Sequence, residues 1–341
     1  MRVEDYDYHL PEGLIAQKPA DRRDESRLMC LDRESGEIEE IVFKEILERL
    51  RPNDLLVLND SRVIPARLFG EKEPTGTTIE ILLLDELGEN KWEVLVKPGR
   101  RAKKGVEISF GDGLMWGRVK EYTDFGGRVM EFDCEGEFEN VINRLGKLPL
   151  PPYIKEDLDN PERYQTVYAK KKGSVAAPTA GLHFTRELLD KIRDKGVGVE
   201  YITLHVGLGT FRPVREERVE DHEMHAEYYE LGEETARKIN RCQQKEGRVL
   251  AVGTTVTRTL EGVARKNGEI KPDKGWTDIF IYPGFDFRVI DGLITNFHLP
   301  RSTLLMLVSA FAGREKVLRA YREAVEREFR FYSLGDAMYI F

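Results

Sequence analysis

The sequence predicts a mixed α/β fold in which a small antiparallel β-barrel interrupts a larger domain. Residues 66–147 hold 12 of the 30 glycines, and short apolar runs recur in them about every 8–14 residues between turns. That rhythm is typical of a small antiparallel barrel. Residues 153–341 alternate instead between helical and strand patterns, which favours an α/β core. We therefore expect a discontinuous large domain over 1–65 and 148–341, with an inserted domain over 66–147.

Length and composition agree with two folded domains. The chain has 341 residues, of which 33% are charged and 40% hydrophobic, as is usual for globular proteins. At about 150 residues per domain, this length predicts roughly two domains. The 61 acidic and 53 basic residues give a formal net charge of -8, which excludes a uniformly basic nucleic-acid coat. Local basic patches can still bind nucleic acid against an acidic average.

Cysteine spacing and hydropathy predict a reduced, cytoplasmic protein without a membrane segment. Cys30, Cys134 and Cys242 are too far apart for a zinc or iron–sulfur motif, and their odd number gives no disulfide framework. The amino terminus lacks the basic and then apolar order of a signal peptide. The longest apolar run, 304–311, contains Ser309 and is far shorter than the ~20 residues that span a bilayer.

The first 65 residues lead from two predicted strands to a cluster of polar side chains. Residues 26–32 and 37–43 are expected to be strands around a Ser-Gly turn, and 43–50 a short helix. Residues 55–58 form a short apolar strand that ends in Asn59-Asp60-Ser61-Arg62. Because α/β folds bind ligands at the carboxyl ends of strands, Asn59, Asp60 and Arg62 are candidate binding residues. The alternative is that Asp60 and Arg62 form an internal ion pair at the domain junction.

The inserted domain combines predicted strands with a basic loop. Its strands are expected at 79–84, 92–96, 106–110, 115–119 and 128–132. Residues 97–104, between two of these strands, contain five bases and no acid. Small barrels commonly present loops to nucleic acid, and bases in such loops contact phosphates. The candidates for such contacts are Lys97, Arg100, Arg101, Lys103 and Lys104. The alternative is that this run of charges is a solvated loop without a nucleic-acid partner.

Helices and strands alternate through the remainder of the chain. Residues such as Thr185 and Ser302, which precede apolar-periodic segments, predict helix N-caps. The apolar residues Val256, Leu260 and Val263 recur at i, i+4 and i+7, as on one face of a helix. The predicted strands are 197–206, 249–252 and 277–282, and further helices are expected at about 233–246 and around 317–325.

The junction of the strand 249–252 with the next helix is a possible anion site. Gly253-Thr254-Thr255 stands there, and free backbone N–H groups at a helix start point toward an anion. Arg258 follows one turn later. The alternative is an ordinary N-cap formed by a threonine. The sequence has neither the P-loop motif nor a complete dinucleotide fingerprint, because position 212 after Gly207 and Gly209 is arginine.

Five of the six histidines lie in four short strings rich in glycine, threonine or acidic residues. They are His183, His205, His222, His225 and His298. Histidine titrates near neutral pH and is the usual proton carrier in catalysis, although many histidines have only structural hydrogen bonds. His222 and His225 are spaced i, i+3, whereas a zinc-protease helix needs i, i+4. Glu227 or His205 would have to complete a metal site, and we predict no metal.

These strings together resemble one family over nearly the whole chain. They include NDSRVIPARL (59–68), AAPTAGLHFT (176–185), LHVGLGTF (204–211), HEMHAE (222–227) and TNFHLP (295–300). Shorter matches stand at 14–17, 148–154, 163–169, 252–255 and 335–338. The sequence thus resembles the S-adenosylmethionine:tRNA ribosyltransferase-isomerases of queuosine biosynthesis. The resemblance is weakest in 70–145.

The resemblance implies a fold and a reaction. The fold is a large α/β barrel-like domain interrupted by a small antiparallel β-barrel. The reaction transfers the ribosyl part of S-adenosylmethionine to the aminomethyl group of a 7-deazaguanine at the wobble position of tRNA. The ribose rearranges to an epoxycyclopentane, giving epoxyqueuosine, while adenine and methionine leave. S-adenosylmethionine is then a substrate, and no separate cofactor or metal is required.

The resemblance also suggests roles for the strings of this sequence. Proton transfer is expected from the set His183, His205, His222 and His225. Thr254, Thr255 and Arg258 are expected to hold the donor's carboxylate or ribose hydroxyls, with Asn59, Asp60 and Arg62 in the same cleft. Two rival hypotheses are a metal-dependent hydrolase that uses the histidines and a non-catalytic RNA-binding protein. Further pocket residues suggested by their motifs are Thr179, Gly181, Gly207, Gly209, Asn296 and His298.

Overall fold

The computed structural model describes residues 1–88, 90–124, 126–156, 158–207, 214 and 216–341. It divides into two units, and both the α/β class and the small antiparallel barrel predicted above are present. The first unit comprises Met1–Arg62, Pro152–Lys171 and Ala177–Phe341, and the second comprises Val63–Pro151 and Lys172–Ala176.

The strands fall into one large sheet, one closed barrel and one short pair. In chain order they are β1 Arg27–Leu31, β2 Ile38–Val42, β3 Leu55–Asn59, β4 Ser61–Val63, β5 Arg67–Lys72, β6 Thr77–Gly88, β7 Lys91–Lys97, β8 Glu107–Phe110, β9 Met115–Tyr122, β10 Arg128–Cys134, β11 Lys171–Ser174, β12 Gly198–Leu204, β13 Glu227–Leu231, β14 Val249–Val252, β15 Asp273–Thr277, β16 Gly292–Asn296 and β17 Ala337–Ile340. β4 and β11 form the short pair.

The large sheet of the first unit brings distant strands side by side. Its order is β15-β13-β12-β3-β14-β16-β17-β1-β2. β12, β3, β14 and β16 run parallel, with Leu55 of β3 opposite both Gly198 and Val249. All residues of β3, β14 and β16 are buried, which agrees with the near-continuous apolar runs expected of parallel strands. The carboxyl ends of these four strands therefore share one border, which we call the carboxyl edge.

Among the helices of the described residues, α3 (Arg186–Asp194) and α6 (Thr303–Ala312) begin at side-chain caps. Their bounds are α1 Ile46–Arg49, α2 Phe138–Leu145, α3 Arg186–Asp194, α4 Glu233–Gln244, α5 Thr254–Asn267, α6 Thr303–Ala312 and α7 Arg314–Glu326. The Oγ1 atom of Thr185 accepts a 3.1 Å hydrogen bond from the Leu188 N–H, and Oγ of Ser302 accepts one of 3.2 Å from Leu305. Both predicted N-caps are confirmed.

The second unit is a closed six-stranded barrel with the order β10-β7-β6-β5-β8-β9, all antiparallel. Its interior is filled by alternate side chains, including Ile79, Ile81 and Phe110. Gly70 lets β5 approach this interior, because a Cβ there would lie 2.6 Å from Phe110. The five predicted runs correspond to the other strands, and β5 is the member that the sequence pattern did not indicate.

One predicted strand is wrong, and the reason is visible in the structure. The strand expected at 277–282 is instead β15, Asp273–Thr277, which pairs with β13. The carbonyl groups of Thr277 and Ile279 accept hydrogen bonds from the guanidinium of Arg258 and so do not continue the ladder. Within the described part of the chain, no helix is long and apolar enough to cross a bilayer.

Candidate functional site

The carboxyl edge collects four of the strings singled out in the sequence. Asn59 and Asp60 end β3, His205 and Gly207 follow β12, Gly253 follows β14, and Asn296 ends β16. A short 3₁₀ helix, Thr179–His183, packs nearby, because a Cβ on Gly253 would lie 3.6 Å from the Cβ of Ala180. Gly209 lies outside the described residues. The topology therefore assembles side chains that are far apart in sequence into one surface, as expected for an α/β ligand site.

Asn59 has a structural role at the centre of this edge. Its side-chain amide donates to the Leu204 carbonyl at 2.9 Å, and its Oδ1 accepts from the Leu204 N–H at 3.1 Å. Nδ2 also lies 3.4 Å from Oγ1 of Thr255. Asn59 is fully buried. Its amide thus holds the ends of β3 and β12 and the start of α5 in fixed positions.

Asp60 and Arg62 do not pair with each other. Oδ1 of Asp60 accepts a 2.7 Å hydrogen bond from the Thr203 hydroxyl, and burial raises the pKa of this carboxyl. Arg62 forms an ion pair with Glu162. The alternative of an internal ion pair between Asp60 and Arg62 is therefore wrong, and Asp60 is the carboxyl group at the end of β3.

The strand-to-helix junction lacks a side-chain cap, and Gly253 and Thr254 are buried there. The N-cap of α5 is Gly253, at φ +94° and ψ 155°, and no side chain caps the helix. A positive φ of this size favours glycine over any residue with a Cβ. Thr254 is buried, and the Thr255 hydroxyl reaches Asn59. The threonine N-cap is thus not formed. The Gly253 N–H donates to the Ile294 carbonyl at 2.7 Å, so the N–H groups suited to an anion are those that follow it at the start of α5.

At Gly181, within the 3₁₀ helix, the side chains of Tyr168 and Thr166 pack very close to the backbone. A Cβ at this position would lie 2.0 Å from the Tyr168 hydroxyl oxygen and 2.9 Å from Cγ2 of Thr166. Thr179, at the start of the same helix, is half-buried. The glycine of this string is therefore required by packing, and it fixes the position of His183 two residues later.

His183 and Asn296 form a buried hydrogen-bonded pair. Nε2 of His183 lies 3.1 Å from Nδ2 of Asn296, and Nδ1 lies 2.7 Å from the Ser26 hydroxyl. The ring stacks on Phe43 at 4.9 Å. Burial, with the charges of Arg330 and Arg23, lowers the pKa of His183 to about 3. Both ring nitrogens are thus occupied, and the imidazole is neutral at physiological pH. Ser26, which the sequence reasoning missed, carries no motif signal of its own.

His298 is similarly buried and neutral. Its Nε2 lies 2.8 Å from the Thr295 hydroxyl, and its backbone N–H donates to the Tyr321 hydroxyl at 3.1 Å. Burial lowers the pKa of His298 to about 3. The ring belongs to the packing that follows β16.

His205 differs from these two histidines because its ring has an unused nitrogen. Nδ1 is buried and has no hydrogen-bond partner among the described residues. The ring stacks on Tyr228 at 5.9 Å, and burial lowers its pKa below the ordinary value of 6.5. A buried polar atom without a partner is costly and is often retained where function requires it. His205 thus follows β12 at the carboxyl edge with one buried ring nitrogen that has no partner among the described residues.

A buried ion pair supports the segment that carries His205. Glu227 accepts from the Gly207 N–H through Oε1 at 3.0 Å and binds the guanidinium of Arg258 through Oε2. Nε of Arg258 also donates to the Ile279 carbonyl at 3.1 Å. The guanidinium is therefore committed to protein partners, and Arg258 orients Glu227 and Gly207 instead of contacting a ligand directly.

His222 and His225 belong to the segment that leads into Glu227. Nδ1 of His222 lies 2.9 Å from Oε2 of Glu216, and its ring contacts Phe280 edge-on at 5.5 Å. His225 is exposed. Within the residues that the structure describes, no group of three or more His, Cys, Asp or Glu side chains is arranged to hold a metal ion.

In the second unit, the predicted basic residues all lie on one exposed loop. The loop 97–105 is fixed by Arg128, whose guanidinium donates to the carbonyls of Gly99 at 3.0 Å and Ala102 at 2.9 Å. The same guanidinium stacks on Tyr122 at 4.4 Å, and that ring is 55% exposed. The loop thus combines cations with an exposed aromatic ring, which is typical of surfaces that bind single-stranded nucleic acid. Its exposed bases are Lys97, Arg100, Arg101, Lys103 and Lys104.

Comparison with known proteins identifies the family. The family model described as "Queuosine biosynthesis protein" matches residues 3–340. The chain belongs to this family. A protein of Halothermothrix orenii is 63% identical over 340 residues, and one of Symbiobacterium thermophilum is 58% identical, with full coverage of both chains in each case. Both relatives are named S-adenosylmethionine:tRNA ribosyltransferase-isomerase.

A crystal structure agrees with this assignment to the queuosine biosynthesis family. The S-adenosylmethionine tRNA ribosyltransferase of Thermotoga maritima is 42% identical and superposes with a TM-score of 0.58. The match covers 99% of this chain and 100% of the other. The family assignment, and not the composition of the histidine strings, favours a transferase over the metal-dependent hydrolase and the non-catalytic RNA-binding protein.

Proposed function

We propose that the chain transfers and isomerises the ribosyl group of S-adenosylmethionine onto the aminomethyl group of a 7-deazaguanine at the wobble position of tRNA. The product is epoxyqueuosine, and adenine and methionine are released. The observation that carries the proposal is the full-length match to the family together with relatives of the same name at 63% and 58% identity. The carboxyl edge supplies a suitable surface for the chemistry.

The reaction needs a base beside the sulfonium. The positive sulfur acidifies the adjacent ribose carbon, and a neutral imidazole can accept the proton. Of the four histidines expected to transfer protons, His205 fits this role best because its Nδ1 is unpartnered among the described residues and its pKa is lowered. His183 acts as a positioning residue, since both of its ring nitrogens are engaged. His222 and His225 are assigned no role in proton removal.

The other groups of the carboxyl edge bind the donor. The backbone N–H groups of Thr254 and Thr255, together with their hydroxyls, are suited to hydroxyl or carboxylate oxygens, whereas the Gly253 N–H donates to the Ile294 carbonyl at 2.7 Å. The Asp60 carboxyl accepts hydrogen bonds from ribose hydroxyls or from the incoming amine. Of the remaining proposed pocket residues, Thr179, Gly181, Gly207, Asn296 and His298 shape or support this surface. Gly209, outside the described residues, stays a prediction from its motif.

The tRNA is proposed to contact the second unit through the basic loop. An anticodon loop is single-stranded, so an enzyme reaches its bases without melting a duplex. The exposed cations at 97–104 contact phosphates, and the exposed Tyr122 ring offers a stacking surface. Contacts of this kind hold a nucleic acid by its backbone and carry no sequence information of their own.

A single incubation tests the proposed function. Purified protein, EDTA, S-adenosylmethionine and tRNA bearing the aminomethyl-deazaguanine are combined, and adenine is followed by chromatography. We expect adenine only when the modified tRNA is present, with epoxyqueuosine in the recovered tRNA. The same tRNA with unmodified guanine at the wobble position is the control, and a parallel incubation omits EDTA. Adenine that appears only without EDTA would support the hydrolase instead, and the absence of adenine from a folded protein would contradict the transferase.

A further inference from the structure

The two outermost strands at one end of the large sheet, β13 and β15, present one face to solvent. In β13 the alternate residues Tyr229 and Leu231 are buried, whereas Tyr228 and Glu230 between them are partly exposed. α5 packs against the buried side, where Nζ of Lys266 lies 3.5 Å from the Tyr229 hydroxyl. Because successive side chains of a strand point to opposite faces, Tyr228 and Glu230 lie on the other, open face of the sheet.

An aromatic row crosses this open face from the carboxyl edge. The His205 N–H donates to the Tyr228 carbonyl at 2.9 Å, and Tyr228 lies opposite Trp276 in the pairing of β13 with β15. The ring centroids of His205 and Tyr228 are 5.9 Å apart, and those of Tyr228 and Trp276 are 5.7 Å apart. The row therefore connects the imidazole proposed as the base with the indole of an edge strand.

The Trp276 indole at the end of the row is unusually accessible. It is 58% exposed, which is more than any other large hydrophobic side chain of the described residues. A single apolar side chain on a surface needs no special explanation, but contiguous exposed apolar groups mark interaction sites. Here the exposed ring continues a row that starts at the proposed active site. An aromatic surface in that position is suited to stack on the flat face of a substrate base.

The charges beside the aromatic row favour a partner that carries phosphates. Glu230 and Lys274 lie opposite each other in the next row of the same face. The Glu230 carboxylate is already engaged, because it accepts from the Tyr228 hydroxyl at 3.0 Å and from Nζ of Lys171 at 3.4 Å. Lys274 and Lys170 are exposed, and neither forms an ion pair within the described part of the chain. Uncompensated positive charge therefore lies next to the aromatic rings, where a phosphate would complement it.

We propose that this aromatic row is a stacking surface for single-stranded RNA, and that Trp276 stacks on an unpaired base next to the wobble nucleotide. Sheet faces with exposed aromatic side chains are a common means of binding single-stranded RNA, and flanking cations hold its backbone. That the RNA is the anticodon loop of tRNA rests on the proposed function. The wobble nucleotide then lies toward His205, and its neighbour in the loop lies toward Trp276.

The affinity for an anticodon stem-loop RNA tests the stacking role of Trp276. We expect Trp276→Ala to weaken binding by roughly 5- to 100-fold, the usual contribution of one stacked base. Trp276→Phe should keep most of the affinity, because it retains an aromatic ring. The salt dependence of binding should be the same in Trp276→Ala and in the wild type, since the indole carries no charge.

A second exposed indole provides the matched control. Trp116, on β9 of the second unit, is 41% exposed, and Trp116→Ala should bind the stem-loop as the wild type does. An equal loss of affinity in Trp116→Ala would show that the effect is not specific to the open face of β13 and β15, and it would overturn the proposal. Wild-type affinity in Trp276→Ala would overturn it directly.

Abasic substitutions identify the stacked base. Each nucleotide of the RNA loop is replaced in turn by an abasic residue, and each RNA is measured with the wild type and with Trp276→Ala. At one position the two losses should not add, because either change removes the same contact. A fully paired hairpin with the same stem should bind both proteins equally. Additive losses at every position would refute the proposal, as would weaker binding of the paired hairpin to the variant.

Three outcomes separate this surface from the proposed function and from another occupant. If Trp276→Ala loses affinity for the stem-loop but the wild type releases no adenine, the proposed function fails and the stacking surface stands. If the wild type releases adenine and Trp276→Ala binds RNA normally, the stacking surface is refuted and the function stands. A wild type that self-associates in sedimentation, with a monomeric Trp276→Ala of unchanged RNA affinity, would assign the face to a second copy of this chain and overturn the proposal.

Discussion

Arg258 and Glu227 form an ion pair whose side chains are only 5% and 4% exposed. The pair is therefore shielded from the solvent. Its other contacts are the N–H of Gly207 and the carbonyls of Thr277 and Ile279, so the pair links β13 and α5 to two further segments. A charge pair in this position fixes the geometry around His205.

Breaking this pair should destabilise the protein strongly. Arg258→Met leaves the Glu227 carboxylate buried and uncompensated, which typically costs about 3–5 kcal/mol. The free energy of unfolding from urea titration measures the destabilisation. Glu234→Gln, which breaks the exposed pair with Lys238, should cost less than about 1 kcal/mol and serves as the control. An Arg258→Met protein as stable as this control would show that the pair is not a structural requirement.

Replacing His205 should lower the rate without unfolding the protein. We expect His205→Gln to reduce kcat by roughly 10²- to 10⁴-fold, the usual contribution of a general base. Because its pKa lies below 6.5 and the base acts when neutral, the wild-type rate should fall only on the acid side of pH 6.5. Adenine release measured over the range from mildly acidic to mildly basic pH checks both points. The exposed His9→Gln is the control, and a His205→Gln enzyme of full activity would exclude this base.

The buried histidines should make stability depend on pH. The pKa of His298 is about 3 in the folded protein and near 6.5 in the unfolded protein. At pH values between these two, the unfolded state therefore binds one more proton than the folded state. The contribution is therefore complete above pH 6.5 and is lost as pH falls toward 3, at up to about 1.4 kcal/mol per pH unit. His298→Gln should flatten this decline in stability between about pH 6 and about pH 4. Urea titrations at both pH values test this, and an unchanged slope would contradict it.

The close approach at Gly181 gives a packing prediction. Gly181→Ala places a Cβ against the Tyr168 hydroxyl, and overpacking of this kind typically costs about 1–3 kcal/mol. Tyr168→Phe removes the hydroxyl and should recover part of the stability in the double variant. Thermal unfolding measures each protein. Gly13→Ala, where a Cβ meets nothing within 4 Å, should have little effect. No recovery in the double variant would mean that the clash is relieved elsewhere.

The basic loop of the second unit should contribute electrostatically to tRNA binding. On single-stranded RNA, removing one phosphate contact flattens the salt dependence by about 0.7 log unit of affinity per log unit of salt. Lys103→Gln combined with Lys104→Gln should therefore reduce the slope by roughly 1.4 if both contact phosphates. Affinity for S-adenosylmethionine should not change. Arg237→Gln and Lys245→Gln, exposed on the first unit, provide a charge-matched control. Equal slopes would remove the loop from the tRNA surface.

Local sequence patterns predict the strands and helix starts that depend only on neighbouring residues. β14 has the predicted bounds, 249–252, because an uninterrupted apolar run is flanked by Arg248 and Gly253. The caps at Thr185 and Ser302 depend only on residues three positions later. By contrast, β13 reads Glu-Tyr-Tyr-Glu-Leu, and its pairing with β15 is not signalled by either segment alone.

The sequence indicates which segments contribute to the candidate site. It does not indicate the role of each residue in that site. The strings at the carboxyl edge are recognisable because strand ends of α/β folds carry polar and glycine residues for ligand binding. Whether the ring nitrogens of a histidine have hydrogen-bond partners depends on residues far away in sequence, such as Ser26 for His183. Arg258 stands where an anion ligand would suit it, yet Glu227 occupies its guanidinium.

The order of strands in the large sheet has a consequence for how the protein folds. β3 pairs with strands that follow it at a great distance, since Leu55 lies opposite Gly198 and Val249, and β17 stands between β16 and β1. The barrel strands are instead consecutive in the chain. Non-local pairings form slowly because a long loop must close before they yield any stabilisation. We therefore expect the barrel to form first in refolding, and the carboxyl edge to be among the last surfaces to exist.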